Sequence, residues 1–166
     1  YQIMKNTDGK LVSFSGGNKD NAIPRECMAS LIFADAEEAK KAEELACSLA
    51  ETLADEITPY EENFTCEITS EEGRTENALS EEDAKAFITA MYLAPNGVQS
   101  RNMKLDGFVV VSTNMGVARA EENRLVIVFS PRSSVASLQE EMKARLGLLA
   151  DTFGFAAEFS GEYPGW

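Results

Sequence analysis

The 166-residue chain contains no histidine. That removes the usual general base at neutral pH, every Ser-His or Cys-His dyad and the commonest zinc ligand. Composition therefore argues against a self-contained hydrolase. Basic residues are also scarce, with 15 Lys and Arg against 28 Asp and Glu and a formal net charge of −13. Phosphate backbones and anionic lipid both need a basic footprint, so neither nucleic acid nor a membrane surface is an expected partner. No apolar run approaches the roughly 20 residues of a membrane span. No glycine loop is followed by Lys-Ser/Thr, which leaves nucleotide binding without support. Cys27, Cys47 and Cys66 are odd in number and form no C-x-x-C pair, so they are expected as small core residues in a reducing compartment. Asn63-Phe64-Thr65 matches a glycosylation acceptor, but no signal peptide accompanies it. The first residue is Tyr1 and not Met, and the expectation is a piece of a longer protein.

What is present reads as a globular domain, or as two small halves sharing one core. Apolar residues make up 44% of the chain, an ordinary fraction for a folded protein. A chain of this length buries roughly two-thirds of its unfolded surface, so folding requires neither disulfide nor metal.

Three helices are legible. Asp35 and Glu38 have capping-box spacing, ahead of an apolar stripe of Ala42, Leu45, Ala46, Leu49, Leu53 and Ile57. Ser80 and Asp83 open the second, which carries Ala84, Phe87, Ile88, Met91 and Tyr92 and stops at Pro95-Asn96-Gly97. Ser137 and Glu140 open the third, which carries Leu138, Met142, Leu146, Leu149 and Phe153 and ends at Gly154. Residues 64–69 and 155–160 alternate apolar and polar, as half-wet strands do. Segments 10–15, 26–34, 107–117 and 124–131 are more continuously apolar and read as inner strands. Residues 1–6 are too short to classify.

These elements repeat. Ser13, Gly17 and Arg25 match Ser112, Gly116 and Arg124 at a common offset of 99 residues, as do the helix starts Asp35 and Ser134. The expected fold is α+β, an antiparallel sheet covered by helices. Two related strand-strand-helix-strand units, ferredoxin-like halves over roughly 10–69 and 107–160, would be joined by 70–106 about a pseudo-twofold.

The chemistry is concentrated in a few places. The loop from Gly16 to Glu26 is longer than a hairpin needs, and its glycines permit positive φ and close backbone approach. Asn21 within it can donate and accept at once, which suits a substrate carboxylate or a developing oxyanion. A bond to its own loop backbone suits it as well, and loop chemistry alone favours that. Arg132 sits where an apolar strand ends before a helix. A guanidinium held there suits bidentate binding of a carboxylate; a solvated arginine or a surface ion pair is the plainer alternative. Ser112-Thr113-Asn114-Met115-Gly116 interrupts an apolar strand. Gly116 there marks a bulge or the close approach of another backbone. Asn114 reaches either a ligand or a local backbone group. The runs Glu37-Glu38 and Glu43-Glu44 read as solvated helix faces.

Taken in order, Val12-Ser13-Phe14-Ser15-Gly16-Gly17, Asn21-Ala22-Ile23-Pro24-Arg25-Glu26, Ala94-Pro95-Asn96-Gly97-Val98, Ser112-Thr113-Asn114-Met115-Gly116, Arg132-Ser133 and Tyr163-Pro164-Gly165-Trp166 closely resemble the bacterial aminoacyl-histidine (Xaa-His) dipeptidases. The resemblance spans nearly the whole chain. It implies a cytosolic di-zinc metallopeptidase of the carboxypeptidase G and desuccinylase superfamily, cleaving dipeptides, notably those that end in His. In that family a catalytic domain carries the zinc ligands and general-base Glu, and an inserted domain serves as lid and dimerisation surface. This chain looks like the inserted domain alone, over 1–166. No cofactor would then be bound by the chain itself, and two zinc ions are expected in the separate catalytic domain. Its partners would be that domain, the dipeptide and a second copy in a homodimer. By the same analogy Asn21 helps bind substrate and Arg132 grips its carboxylate. Related lids also supply a His to the scissile carbonyl, and this sequence departs from them in having none. The alternative is a free-standing small-molecule-binding or dimerisation module of ferredoxin-like type.

Overall fold

A computed structural model describes residues 1–73, 76–121 and 124–161. In chain order the elements are α1 (Gln2–Asn6), β1 (Lys10–Gly16), β2 (Cys27–Ile32), α2 (Ala36–Ile57), α3 (Glu81–Leu93), β3 (Gly97–Asn102), β4 (Phe108–Glu121), β5 (Arg124–Ser133) and α4 (Ala136–Phe153), with a short 3-10 turn at Met103–Leu105. The class is α+β, as expected, and all four strand pairings are antiparallel.

β4 organises the sheet. One of its edges is lined by β5 from Val111 to Glu121. The other edge is shared: β3 pairs with Phe108–Thr113, and β1 pairs with Ala118–Ala120. β2 lies outside β1. β1 and β4 thus pair antiparallel, Gly16 opposite Ala118.

The helices begin and end where local chemistry allows. Asp35 accepts hydrogen bonds from the amides of Glu37 and Glu38 at 2.9 and 3.0 Å, filling donors the first turn leaves open. Glu38 does not close the capping box; its carboxylate accepts from the Asp8 amide at 3.1 Å and pairs with Lys41. The Ser80 hydroxyl accepts from the Asp83 amide at 3.0 Å. Gly154, at φ 74°, ends α4 in the left-handed region. The start of α4 differs from expectation: Val135 is the cap residue, and Ser133 in place of Ser137 accepts the Val135 amide at 3.1 Å.

One face of the sheet carries the core. Phe87 is fully buried on α3 among Leu11, Ala84, Ala118 and Ala120, with Phe14 edge-on at 5.7 Å. Burying a side chain of that size contributes roughly 1.5–3 kcal/mol. A second cluster joins Val111 on β4 to Met142 and Leu146 on α4. α2 is less committed: of its predicted stripe only Ala42 is buried, and Leu53 is 44% exposed.

Several expectations need correcting. Segments 64–69 and 155–160 form no ladder. Alternation reports one wet side, not a free partner edge, and the edge of β4 is already taken by β1 and β3. Phe155 packs instead against the Phe87 cluster. β3 was not expected, because Gly97, Gln99, Ser100, Arg101 and Asn102 lack a strand's apolar character; the edge of β4 supplies its ladder. Residues 1–6 contain the short helix α1. The three cysteines are free thiols at the surface, not core residues: Cys47 lies on α2, Cys27 at the start of β2 with its thiol partly covered, and Cys66 in a segment without regular structure. Among the described residues, no helix is long and apolar enough to cross a membrane.

Candidate functional site

Between the ends of β3 and β1, a short stretch of β4 around Met115 has no strand beside it on that edge. A register shift between Met115 and Val117 marks a bulge. Before it, Val111 and Thr113 face the core; after it, Ala118 and Ala120 do. The extra residue keeps one face apolar across both halves of the strand.

That gap is filled by the β1–β2 loop. Gly17 has φ +67°, and a β-carbon there would overlap the Gly116 carbonyl oxygen; one built on Gly116 would overlap the carbonyls of Lys19 and Asp20. Backbone meets backbone: both glycines are required by space, and Gly17 by its positive φ as well. Asn114 secures the contact. Its Nδ2 donates to the carbonyl of Asp20 at 3.1 Å and to that of Ala22 at 2.7 Å. Two carbonyl acceptors fix the amide's orientation. On the in-plane side, the Met115 amide donates to Asn96 Oδ1 at 2.9 Å.

Asn114 therefore satisfies backbone groups, but not local ones: they lie 94 and 92 residues away in sequence. They flank Asn21, whose exposed side chain makes no hydrogen bond with another described residue. The plain expectation, a bond from Asn21 to its own loop, is not what the structure shows.

Register places Arg132 nearby. Ser112 opposes Arg132 and Asn114 opposes Ser130, so Asn114 and Arg132 are diagonal neighbours on one face, roughly 7–8 Å apart. Arg132 is half-buried. The antiparallel pairing of β1 with β4 thus brings the Asn21 loop and Arg132 to the same face, away from the helices.

The rest of that face is open and locally basic. Beyond the bulge it carries Val117, Arg119 and Glu121, facing Val128, Val126 and Arg124. A shallow concavity of about 320 Å³ is lined by Val117, Arg119, Glu121, Arg124 and Val126. Against a formal charge of −13, three arginines on one sheet face give this surface the sign that attracts anions. Among the described residues, no group of three or more His, Cys, Asp or Glu is placed to hold a metal ion. Burial, and after it the neighbouring Cys66, push the Cys27 thiol up.

The role of Asn96 was not legible. In the sequence Pro95-Asn96-Gly97 signals a helix stop, and nothing local to it points to an amide on β4. Tyr163-Pro164-Gly165-Trp166 lies outside the described residues.

No family model matches the chain. It is 31% identical over 159 residues to the cytosol non-specific dipeptidase of Escherichia coli (strain K12), covering 96% of this chain and 32% of the relative. It also superposes on the crystal structure of aminoacylhistidine dipeptidase from Vibrio alginolyticus with TM-score 0.86 and 33% identity, covering 98% of this chain and 33% of that one. The chain spans about a third of the length of both. It is related, along nearly all of its own length, to a segment making up one third of these dipeptidases, as its motifs implied.

Proposed function

We propose that the chain is the lid and substrate-binding domain of a zinc-dependent, cytoplasmic dipeptidase that hydrolyses Xaa-His-type dipeptides. The observation that carries the proposal is the convergence of the Asn21 loop and Arg132 on one open, arginine-bearing face. A dipeptide offers a carboxylate to Arg132 and polar backbone groups to Asn21. Asn114 holds the loop and does not need to touch substrate.

The described residues do not fit a zinc site, since they hold no histidine and no ligand cluster. The metal ions, two in this reading, belong to a catalytic domain outside the 166 residues. This chain contributes binding, orientation and exclusion of water. A homodimer through the same domain belongs to the reading as well.

The test is Arg132→Ala in the full-length protein that the reading requires. A desolvated Arg-carboxylate contact is worth roughly 2–5 kcal/mol. Cleavage of dipeptides should fall accordingly, and cleavage of substrates lacking a free carboxylate should fall far less. Equal losses on both refute the role of Arg132. A reading frame around the chain without His, Asp and Glu metal ligands refutes the dipeptidase itself. Tight amino-acid binding by the chain alone in a thermal-shift assay favours a free-standing binding module instead.

A further inference from the structure

We infer that Asn96 is a positioning residue that sets the Asn21 loop through the backbone of β4. Its bearing on substrate rests on the function proposed above; its structural content does not. Three observations carry it.

First, the Met115 amide lies on the edge of β4 where neither β3 nor β1 reaches. Asn96, one residue before β3, supplies the missing acceptor with its side chain at 2.9 Å. The side chain does there what one more strand residue would do. Second, Met115 lies between Asn114 and Gly116, the two residues that hold the loop from beneath. A shift of the β4 backbone at Met115 moves both. Third, the β3 ladder starts only at Gly97, which turns at φ +78° and faces Thr113, so Met115 lies beyond its end and the side chain of Asn96 spans to it. Two asparagines therefore act on the loop with opposite duties: Asn114 donates to it directly, and Asn96 accepts from the β4 backbone that carries Asn114.

Opposite duties predict opposite responses to one isosteric change. A carboxylate accepts from an amide as well as a carboxamide does, but it cannot donate to two carbonyls. Asn96→Asp should keep the loop in place, and Asn114→Asp should release it. The measurement is amide hydrogen exchange by NMR on the 166-residue chain. Gly17 and Ala22, whose amides donate to Glu26 and Lys19 within the loop, are the reporters.

Asn96→Ala and Asn114→Asp should each speed reporter exchange by roughly tenfold or more. Asn96→Asp should leave it near wild type, and α4 amides should not change in any of the three. Unchanged reporters in Asn96→Ala overturn the inference. So does an Asn96→Asp variant as loose as the alanine, or a rise shared equally by α4, which would report general destabilisation. Should Asn96→Ala not fold, Asn96→Ser, whose shorter side chain cannot span to Met115, is read by the same criteria. A failed Arg132 test alongside the expected exchange pattern would discard the dipeptide reading and leave this inference standing.

Discussion

Gly116→Ala is the sharpest single perturbation of the site. A methyl on Gly116 would occupy the space of the Lys19 and Asp20 carbonyl oxygens. Both are backbone atoms, so no flexible side chain can swing aside. The chain has two ways out. Keeping the loop docked forces β4 or the loop to shift, an overpacking cost of about 1–3 kcal/mol. Releasing the loop forfeits the two bonds from Asn114, each worth about 0.5–1.5 kcal/mol net, or about 1–3 kcal/mol together. The ranges coincide, so the expected destabilisation is about 1–3 kcal/mol by either route. For a domain of this size that lowers the melting temperature by roughly 2–12 °C. Thermal unfolding reads the total, and exchange at Gly17 and Ala22 reads the route: fast if the loop leaves, slow if strain is absorbed. Wild-type stability together with wild-type loop protection would refute the close backbone approach on which the site is built.

Gly147→Ala is the matching control. A β-carbon there meets only the Phe159 ring at 3.9 Å, within the helix α4, so the change should stabilise by about 0.5–1 kcal/mol, seen as a higher denaturant midpoint. Cys27, its thiol pushed up by partial burial and then by Cys66, holds less thiolate at mildly alkaline pH in the folded chain than in the unfolded one. Alkylation of Cys27 followed by mass spectrometry should run faster once the chain is unfolded in denaturant, and equal rates in the two states would contradict the shift. Because the folded-state value lies above the unfolded one, Cys27 favours the folded state below the ordinary thiol range and loses that contribution as pH rises through its raised value.

Much of the fold was legible because its signals are local. Asp35 and Ser80 precede apolar helical stripes and cap those helices; Gly154 closes α4. The four apolar segments became β1, β2, β4 and β5. The failures are non-local. Residues 64–69 carry a strand's pattern without a partner, and Gly97–Asn102 form a strand without the pattern. In both cases availability of an edge on β4 decided, and no local period encodes that. The site divides the same way. Gly116 was legible as a bulge and close approach, since a glycine inside an apolar strand has few other uses. Asn114 stood undecided between ligand and backbone because its acceptors come from a loop more than ninety residues earlier. Asn96 was invisible as a site residue for the same reason: its partner is an amide on a strand it merely abuts.

The order strand-strand-helix occurs twice, as β1-β2-α2 and β4-β5-α4, and the pairing of its two first strands accounts for where the polar residues converge. Gly17 and Gly116 occupy equivalent positions at the 99-residue offset, and antiparallel pairing of β1 with β4 brings them into backbone contact. Near such a contact the two copies cannot both keep the same structure, because one backbone must yield space to the other. The first copy yields by leaving its strand at Gly17 with positive φ and running a long loop. The second stays in the sheet and yields by a bulge at Gly116. The loop side carries Asn21, while the strand side carries Arg132 and, beneath the loop, Asn114 that holds it. An asymmetric ligand needs an asymmetric site, and steric exclusion between equivalent glycines is a sufficient physical cause for breaking the symmetry at that point.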